Sequence, residues 1–361
     1  MKTFHRAQTT RLDELGFVSR GRSRHRPRND ASLYGGEYPF FQTGDVKAAN
    51  LYLTNYSQTY NETGLAQSKM WDKGTLCITI AANIAETAIL GIPGCFPDSV
   101  VGFIPDPDKA DVRFIKYYID ILKLGMQSIS RGTTQDNMSV EKLMSFDFNL
   151  PDLPTQQRIA GILSAYDDLI ENNLRRIKIL EEMAQSLYRE WFVHLRFPGH
   201  ESAKFVDSAT GQMPRGWEVG KLEDVLVLQR GFDLPKTERK AGGVPIYAAA
   251  GVTGYHSESK VKGPGIVTGR SGTIGQVVYV HEDFWPLNTA LWVKAFPKSE
   301  PLYAYFVLSG LDLKGFNSGA AVPTLNRNDV HSLEVMIPPA ALQSKFQELA
   351  GAILAQARVL T

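Results

Sequence analysis

The sequence predicts an α+β fold built as two tandem copies of one domain joined by a long helix. Three observations carry that prediction: an ordered internal repeat, short apolar runs punctuated by Gly and Pro in each copy, and an unbroken heptad stripe between the copies. Composition accommodates it. At roughly 150 residues per domain, 361 residues make about two or three domains. With 43% hydrophobic and 21% charged residues, the chain is ordinary globular protein and neither disordered nor collagen-like.

The repeat is read first. Arg11-Leu12-Asp13-Glu14-Leu15, followed by Ser19-Arg20-Gly21, recurs as Lys221-Leu222-Glu223-Asp224-Val225, followed by Gln229-Arg230-Gly231. Gly74 to Thr79 then matches Gly263 to Thr268, and Phe96-Pro97 matches Trp285-Pro286. Arg131-Gly132 and Met138 answer Gly319 and Leu325, and Leu150-Pro151 and Gln156 fall on Ile337-Pro338 and Gln343. The offset shrinks stepwise along the chain, as expected when two copies keep core strands and vary their loops.

Within each copy, Thr75 to Ile80, Gly265 to Thr268, Gln276 to Val280 and Ala290 to Val293 read as strands. Helical spacing follows at Phe114, Tyr117, Tyr118, Ile121 and Leu122, and again at Tyr303 to Leu311. A closing strand, Phe146 to Leu150 or Leu333 to Ile337, leads through Pro into a further helix.

From Gln156 to Phe192 there is no Pro and a single Gly, so a continuous helix of ~55 Å is predicted at 1.5 Å per residue. Its seam is Ile159, Leu163, Tyr166, Ile170, Asn173, Ile177, Leu180, Ala184, Leu187 and Trp191, alternating four and three. Phe346, Ala350, Ile353, Ala357 and Leu360 repeat the start of that seam in phase. Because this second helix is only about half as long, the distal part of the first seam, Ile177 to Trp191, is expected to lack a partner within the chain. The boundaries expected are 1–150 for the first domain, 151–195 for the spacer helix, 196–213 for a linker, 214–337 for the second domain and 338–361 for a short distal helix, either truncated or naturally ended.

Charge is balanced overall, 39 Lys and Arg against 38 Asp and Glu, which argues against a polybasic nucleic-acid binder unless basic residues cluster locally. They do. Arg20, Arg22, Arg24, Arg26 and Arg28 alternate with other residues, and in an extended segment that period of two puts five guanidinium groups on one side, suited to phosphates or guanine edges. Arg230, Lys236, Arg239 and Lys240 occupy the matching stretch of the second copy. Loop positions Arg131, Thr133, Gln135 and Asn137, together with Asn317, Thr324, Asn326, Arg327 and Arg270, supply further groups able to meet bases or phosphates. Any of these residues alone equally suits a solvated loop or a turn cap.

Catalytic signatures are missing from the sequence. There is no Walker A motif, no dinucleotide fingerprint, no paired-His metal motif and no nucleophile elbow. The acidic-x-Lys triplets follow no Pro-Asp pair at nuclease-like distance, and the Asn-Pro-Pro-aromatic motif of adenine methyltransferases is lacking. A non-enzymatic role is expected. Two cysteines, Cys77 and Cys95, are too few for a disulfide framework and fit a reducing cytoplasm. No signal peptide or membrane-length apolar run is evident.

The run from Leu150-Pro151-Asp152-Leu153-Pro154-Thr155-Gln156-Gln157-Arg158-Ile159, through Asp167 to Asn173, to Leu187-Tyr188-Arg189-Glu190-Trp191-Phe192-Val193, resembles the central spacer of type I restriction-modification specificity subunits. The Gln343 segment resembles that family's distal spacer, and the two copies resemble its target recognition domains. The resemblance implies an antiparallel coiled-coil spacer between two recognition domains, each reading half of a bipartite, asymmetric target in double-stranded DNA. It further implies docking of two methyltransferase subunits, with restriction subunits joining the assembly. S-adenosylmethionine, ATP and magnesium would belong to those partners and no cofactor to this chain. The short distal helix departs from the family pattern and puts the full two-helix spacer, and with it the second methyltransferase contact, in question. Two other classes remain: a scaffold or anti-restriction protein that binds the methyltransferase without reading DNA, and a stand-alone DNA-binding regulator.

Overall fold

The computed structural model describes residues 8–130, 138–208, 211–318 and 322–360. The chain forms two compact units, Met1–Asn172 and Asn173–Thr361, so the spacer helix is shared between them.

The first unit is organised by a five-stranded sheet in the order Gly16–Arg20, Val100–Pro105, Leu76–Thr79, Thr87–Leu90, Tyr52–Leu53. Its central strands are apolar without alternation because both faces are covered. Leu76, Ile78, Ile89, Val101 and Phe103 point to one face, where Ile115 and Ile119 of the helix Val112–Ser130 pack on them. Cys77, Ala88, Leu90 and Val100 point to the other, against Phe41, Trp71 and Phe96. A second sheet of four short strands, Gln58–Tyr60, Tyr34–Phe40, Gly94–Cys95 and Met70–Trp71, carries the stacked Phe40 and Tyr60 rings, 4.1 Å apart.

The second unit repeats this plan. Its main sheet runs Val227–Arg230, Ala290–Ala295, Gly265–Gly269, Val277–Val280. Leu228, Ile266, Leu291 and Val293 face the helix Pro301–Ser309, while Val267, Val280 and Ala290 face Tyr247 and Phe284. Both units contain a parallel pairing between their second-sheet strands, Phe40 with Cys95 and Ile246 with Trp285. In each unit the last strand, just before the helix, pairs antiparallel with the first strand of that copy of the domain: Phe148–Leu150 with Gln8–Thr10, and Glu334–Ile337 with Glu218–Lys221. The repeat read from the sequence is therefore a structural one, down to Met138 N–H donating to Ile80 O (2.8 Å) and Leu325 N–H donating to Arg270 O (2.8 Å). Gly319, Arg131 and Gly132, also matched in the repeat, lie outside the described residues.

The spacer helix is continuous from Leu153 to Tyr188 and closes through a wider π turn, Arg189–Val193, in which His194 N–H reaches Arg189 O at 2.8 Å. Burial along its seam corrects one expectation. The distal half is the covered one. Ala184 and Trp191 are buried with Phe346 and Ala350 of the helix Ala340–Val359, and Leu187 and Ile353 pack beside them. The physical reason is direction. Phe346, near the start of the second helix, sits 6.1 Å ring to ring from Trp191, whereas Leu354, further along, lines a cleft with Lys178, Glu181 and Gln185. The helices therefore run in opposite senses, and the second covers the end of the first. The proximal seam, Ile159, Leu163, Tyr166 and Ile170, is exposed, with Tyr166 at 64%. Asn173, Ile177 and Leu180 are intermediate, and so is Leu360 at the end of the second helix.

The segment read as a linker is partly folded. Phe205–Ser208 and Gly211–Pro214 pair as a hairpin, and Phe197 rests on Trp217 at 5.6 Å.

Candidate nucleic-acid interface

In both units the strand that opens the main sheet ends on an arginine followed by a glycine. Arg20 and Arg230 are exposed at those ends. The glycines are required by close backbone approach. Gly21 N–H donates to Val100 O (2.8 Å) and Gly231 N–H to Ala290 O (3.1 Å). A Cβ on Gly21 would stand 2.3 Å from Phe96 O, and one on Gly231 would stand 2.2 Å from Leu287 O.

Beyond Gly21 the first unit's chain stays extended. Arg22 and Arg24 face solvent while Ser23 turns inward, 5% exposed, which is the alternation the sequence predicts. The segment is held by two residues that sequence reasoning did not single out. Gln67 Oε1 accepts from Arg24 N–H (2.6 Å) and His25 N–H (3.0 Å), and Ser68 Oγ donates to Arg22 O (2.8 Å). These anchors lie more than forty residues along the chain, on no motif, so no local signal marks them.

The alternation stops at Pro27, where a turn closes by Asp30 N–H to Pro27 O (3.2 Å), so the five arginines do not share one side. Arg28 forks onto Asp98 at 2.6 and 2.9 Å, Arg26 reaches the same carboxylate at 3.7 Å, and a second guanidine nitrogen of Arg26 donates to Ser23 O and His25 O. Asp30 sits beside His25 (2.9 Å) and accepts from Ser32. Those hydrogen bonds, the Ser32 ones foremost, hold its carboxyl down at about 2. Among the described residues no carboxylate forms an ion pair with Arg22, Arg24, Arg230 or Lys236, and that leaves their charge available. Arg20 stands near Glu141, whose carboxyl is held below its ordinary value by hydrogen bonds from its own backbone and Ser139 first and by Arg20 last.

The second unit's remaining candidates are more engaged. Arg239 is half-buried on Thr253, and Lys240 reaches Glu258 at 3.5 Å. Arg270 donates to Asn288 O (3.1 Å), Asn326 caps the short helix Arg327–His331 through Asn328 N–H (3.1 Å), and Arg327 reaches Leu228 O (3.5 Å). Asn317 Oδ1 accepts from Thr324 N–H (2.9 Å). These loops are joined: Leu325 N–H bonds Arg270 O, and Gly272 N–H bonds Pro323 O at 2.9 Å. Arg131, Thr133, Gln135 and Asn137 lie outside the described residues. Among the described residues no group of three or more His, Cys, Asp or Glu is placed to hold a metal, and no helix is long and apolar enough to cross a membrane.

Two copies of one α+β domain, each leading into a helix and each carrying an exposed arginine-glycine pair where the first strand of its main sheet ends, form a repeated α+β scaffold with a cationic strand end in each copy. The chain belongs to the type I restriction modification DNA specificity domain family, whose model matches residues 6–182 and 214–355. It is 24% identical to the MjaIX type I restriction enzyme specificity subunit of Methanocaldococcus jannaschii over 94% of this chain and 84% of that protein. It is 20% identical to the EcoprrI specificity subunit of Escherichia coli over 90% and 84%. In fold it is similar to the solved S subunit of a type I system from M. genitalium, with a TM-score of 0.69 and 16% identity over 100% of this chain and 92% of that one.

Proposed function

We propose that this specificity subunit reads a bipartite, asymmetric target in double-stranded DNA, one half by each domain, and docks methyltransferase subunits through its helices. Restriction subunits join through that complex. The observation that carries the reading is the repeated Arg-Gly strand end on two otherwise different loop sets. One scaffold places Arg20 and Arg230 alike, while Arg22, Arg24 and the Arg270 and Asn326 loops differ between copies. Shared cations fit phosphates, which position, and unlike loops fit unlike base sequences, which specify. The exposed proximal seam, with Tyr166 and Ile170 and the neighbouring Leu169 at 51% or more, supports protein docking, since an apolar stripe on a solvent-facing helix calls for a partner. S-adenosylmethionine, ATP and magnesium are assigned to the partner subunits and the assembly to the cytoplasm, where the free thiols of Cys77 and Cys95 stay reduced.

Selection from random duplexes by this chain with its cognate methyltransferase tests the reading. A two-part consensus with a fixed gap is expected. No sequence preference would favour a scaffold or anti-restriction role, and tight binding to a site without methyltransferase would favour a stand-alone regulator.

A further inference from the structure

A cleft of about 410 Å³ opens in the first unit beside the arginine segment, lined by Arg28, Asn29, Gln42, Thr43 and Gln58 with Ala82 at its side. Its polar groups are hydroxyls, amides and one guanidinium. None of the described residues lining it carries a carboxylate. Two features fix its walls: Arg28 Nη2 donates to both oxygens of Asp98, at 2.6 and 2.9 Å, and Gln42 Nε2 donates to Gln58 Oε1 at 2.8 Å, leaving the Gln58 amide nitrogen with no hydrogen bond among the described residues. Arg28 O accepts from Tyr34 OH at 2.6 Å, which pins the backbone at that arginine.

Shape decides what such a surface meets. Base edges lie at the floor of a major groove ~8.5 Å deep, so reading them takes a protruding element. A concave surface of apolar side chains edged by hydroxyls and amides, whose one guanidinium is already held by Asp98, instead fits what stands out from a duplex, a phosphodiester strand. We infer that this cleft seats one DNA backbone strand through Asn29, Gln42 and Gln58, next to the solvent-facing Arg22 and Arg24. The inference rests on the DNA-binding reading above and assigns these three residues a positioning role, without base choice.

The test is the Asn29→Ala, Gln42→Ala, Gln58→Ala triple variant of the full chain with its methyltransferase. All three positions are exposed, and an unaltered thermal midpoint of the variant checks that the fold is retained. Affinity is expected to fall about tenfold on the selected duplex and equally on a random duplex, with consensus and salt slope unaltered, because neutral donors release no counterions. Unchanged affinity would overturn the inference. So would a change in preference at one base position, which would mean base reading, or a flattened salt slope, which would mean that the arginine segment had moved. Since a backbone contact shows on random duplex, a missing two-part consensus in the unaltered protein would contradict the bipartite reading without touching this one. Failure of the unaltered protein to bind any DNA would overturn both.

Discussion

Gln156 and Gln343 make the same three hydrogen bonds in the two units. Gln156 Nε2 donates to Pro151 O (2.9 Å) and Lys109 O (3.4 Å) while its Oε1 accepts from Asp111 N–H (3.2 Å). Gln343 Nε2 donates to Pro338 O (2.8 Å) and Lys298 O (3.0 Å) while its Oε1 accepts from Glu300 N–H (3.0 Å). Each amide is buried and ties the start of its helix to the loop preceding the domain's other helix.

Replacing either glutamine with leucine strands two carbonyls and one N–H away from water. At about 1–3 kcal/mol per buried unsatisfied group, Gln343→Leu is expected to lower the stability of the second unit by at least about 2 kcal/mol. Denaturant unfolding measures it, and amide exchange at Glu300 should speed up. An exchange rate equal to that of the parent would contradict the assignment.

Arg22→Ala with Arg24→Ala is expected to reduce the slope of log affinity against log salt by about 1.8, or ~0.9 for each phosphate that is no longer neutralised. Gln67→Ala, which frees the backbone of the same segment, should weaken binding and leave the slope nearly intact, because both guanidinium groups remain. Unchanged slopes in the double variant would mean that these arginines are only solvated.

Ala82 and Ala85 hold left-handed backbone, φ 62° and 60°, where the matching loop of the second unit has Gly272 and Gly275 at 91° and 93°. Left-handed geometry costs an L-residue roughly 1–2 kcal/mol, offset in part by the greater chain entropy of glycine. Ala82→Gly should therefore raise the thermal midpoint of the first unit, with a gain of about 0.5–1 kcal/mol. A lowered midpoint would contradict this.

Tyr117 OH donates to Asp167 at 2.5 Å, joining the first unit's helix Val112–Ser130 to the spacer. Burial first, and then that carboxylate, push the phenol well above its ordinary value of 10. A raised folded pKa gives stability that is complete below pH 10 and lost as pH rises toward the folded value. Tyr117→Phe should lower stability at neutral pH and make its decline above pH 10 shallower. An alkaline profile as steep as the parent's would contradict the linkage.

Much of this architecture was legible in the sequence because it lies in local pattern. The strand runs, the Arg-Gly pairs, the glutamine match and the helix from Gln156 onward are written in neighbouring residues. What was not legible depends on partners remote in sequence. The heptad seam shows that Trp191 wants a cover but carries no direction, so an antiparallel helix that starts at Ala340 and brings Phe346 against Trp191 reversed which half is exposed. Alternating arginines predicted one charged side, yet Pro27 and Asp98 redirect Arg26 and Arg28, and nothing near those residues announces Asp98 seventy positions on. The Gln67 anchor and the Gln42 and Gln58 cleft are likewise brought together only by folding.

Spacing is the next expectation. Duplicating Leu174 to Ile177 lengthens the helix by ~6 Å in a stretch that is largely solvent-exposed, ahead of the packed Ala184 and Trp191. At about 3.4 Å per base pair, the gap in the selected consensus should grow by about two base pairs. An unaltered gap would mean that the helix does not set the distance.

The most direct measurement is a genome-wide map of modified adenines in cells carrying this chain with its cognate methyltransferase, compared with cells carrying the Arg22→Ala, Arg24→Ala variant. The account predicts one gapped, two-part, asymmetric motif whose occupancy drops in the variant. A continuous motif, or modification that does not depend on this chain, would contradict it.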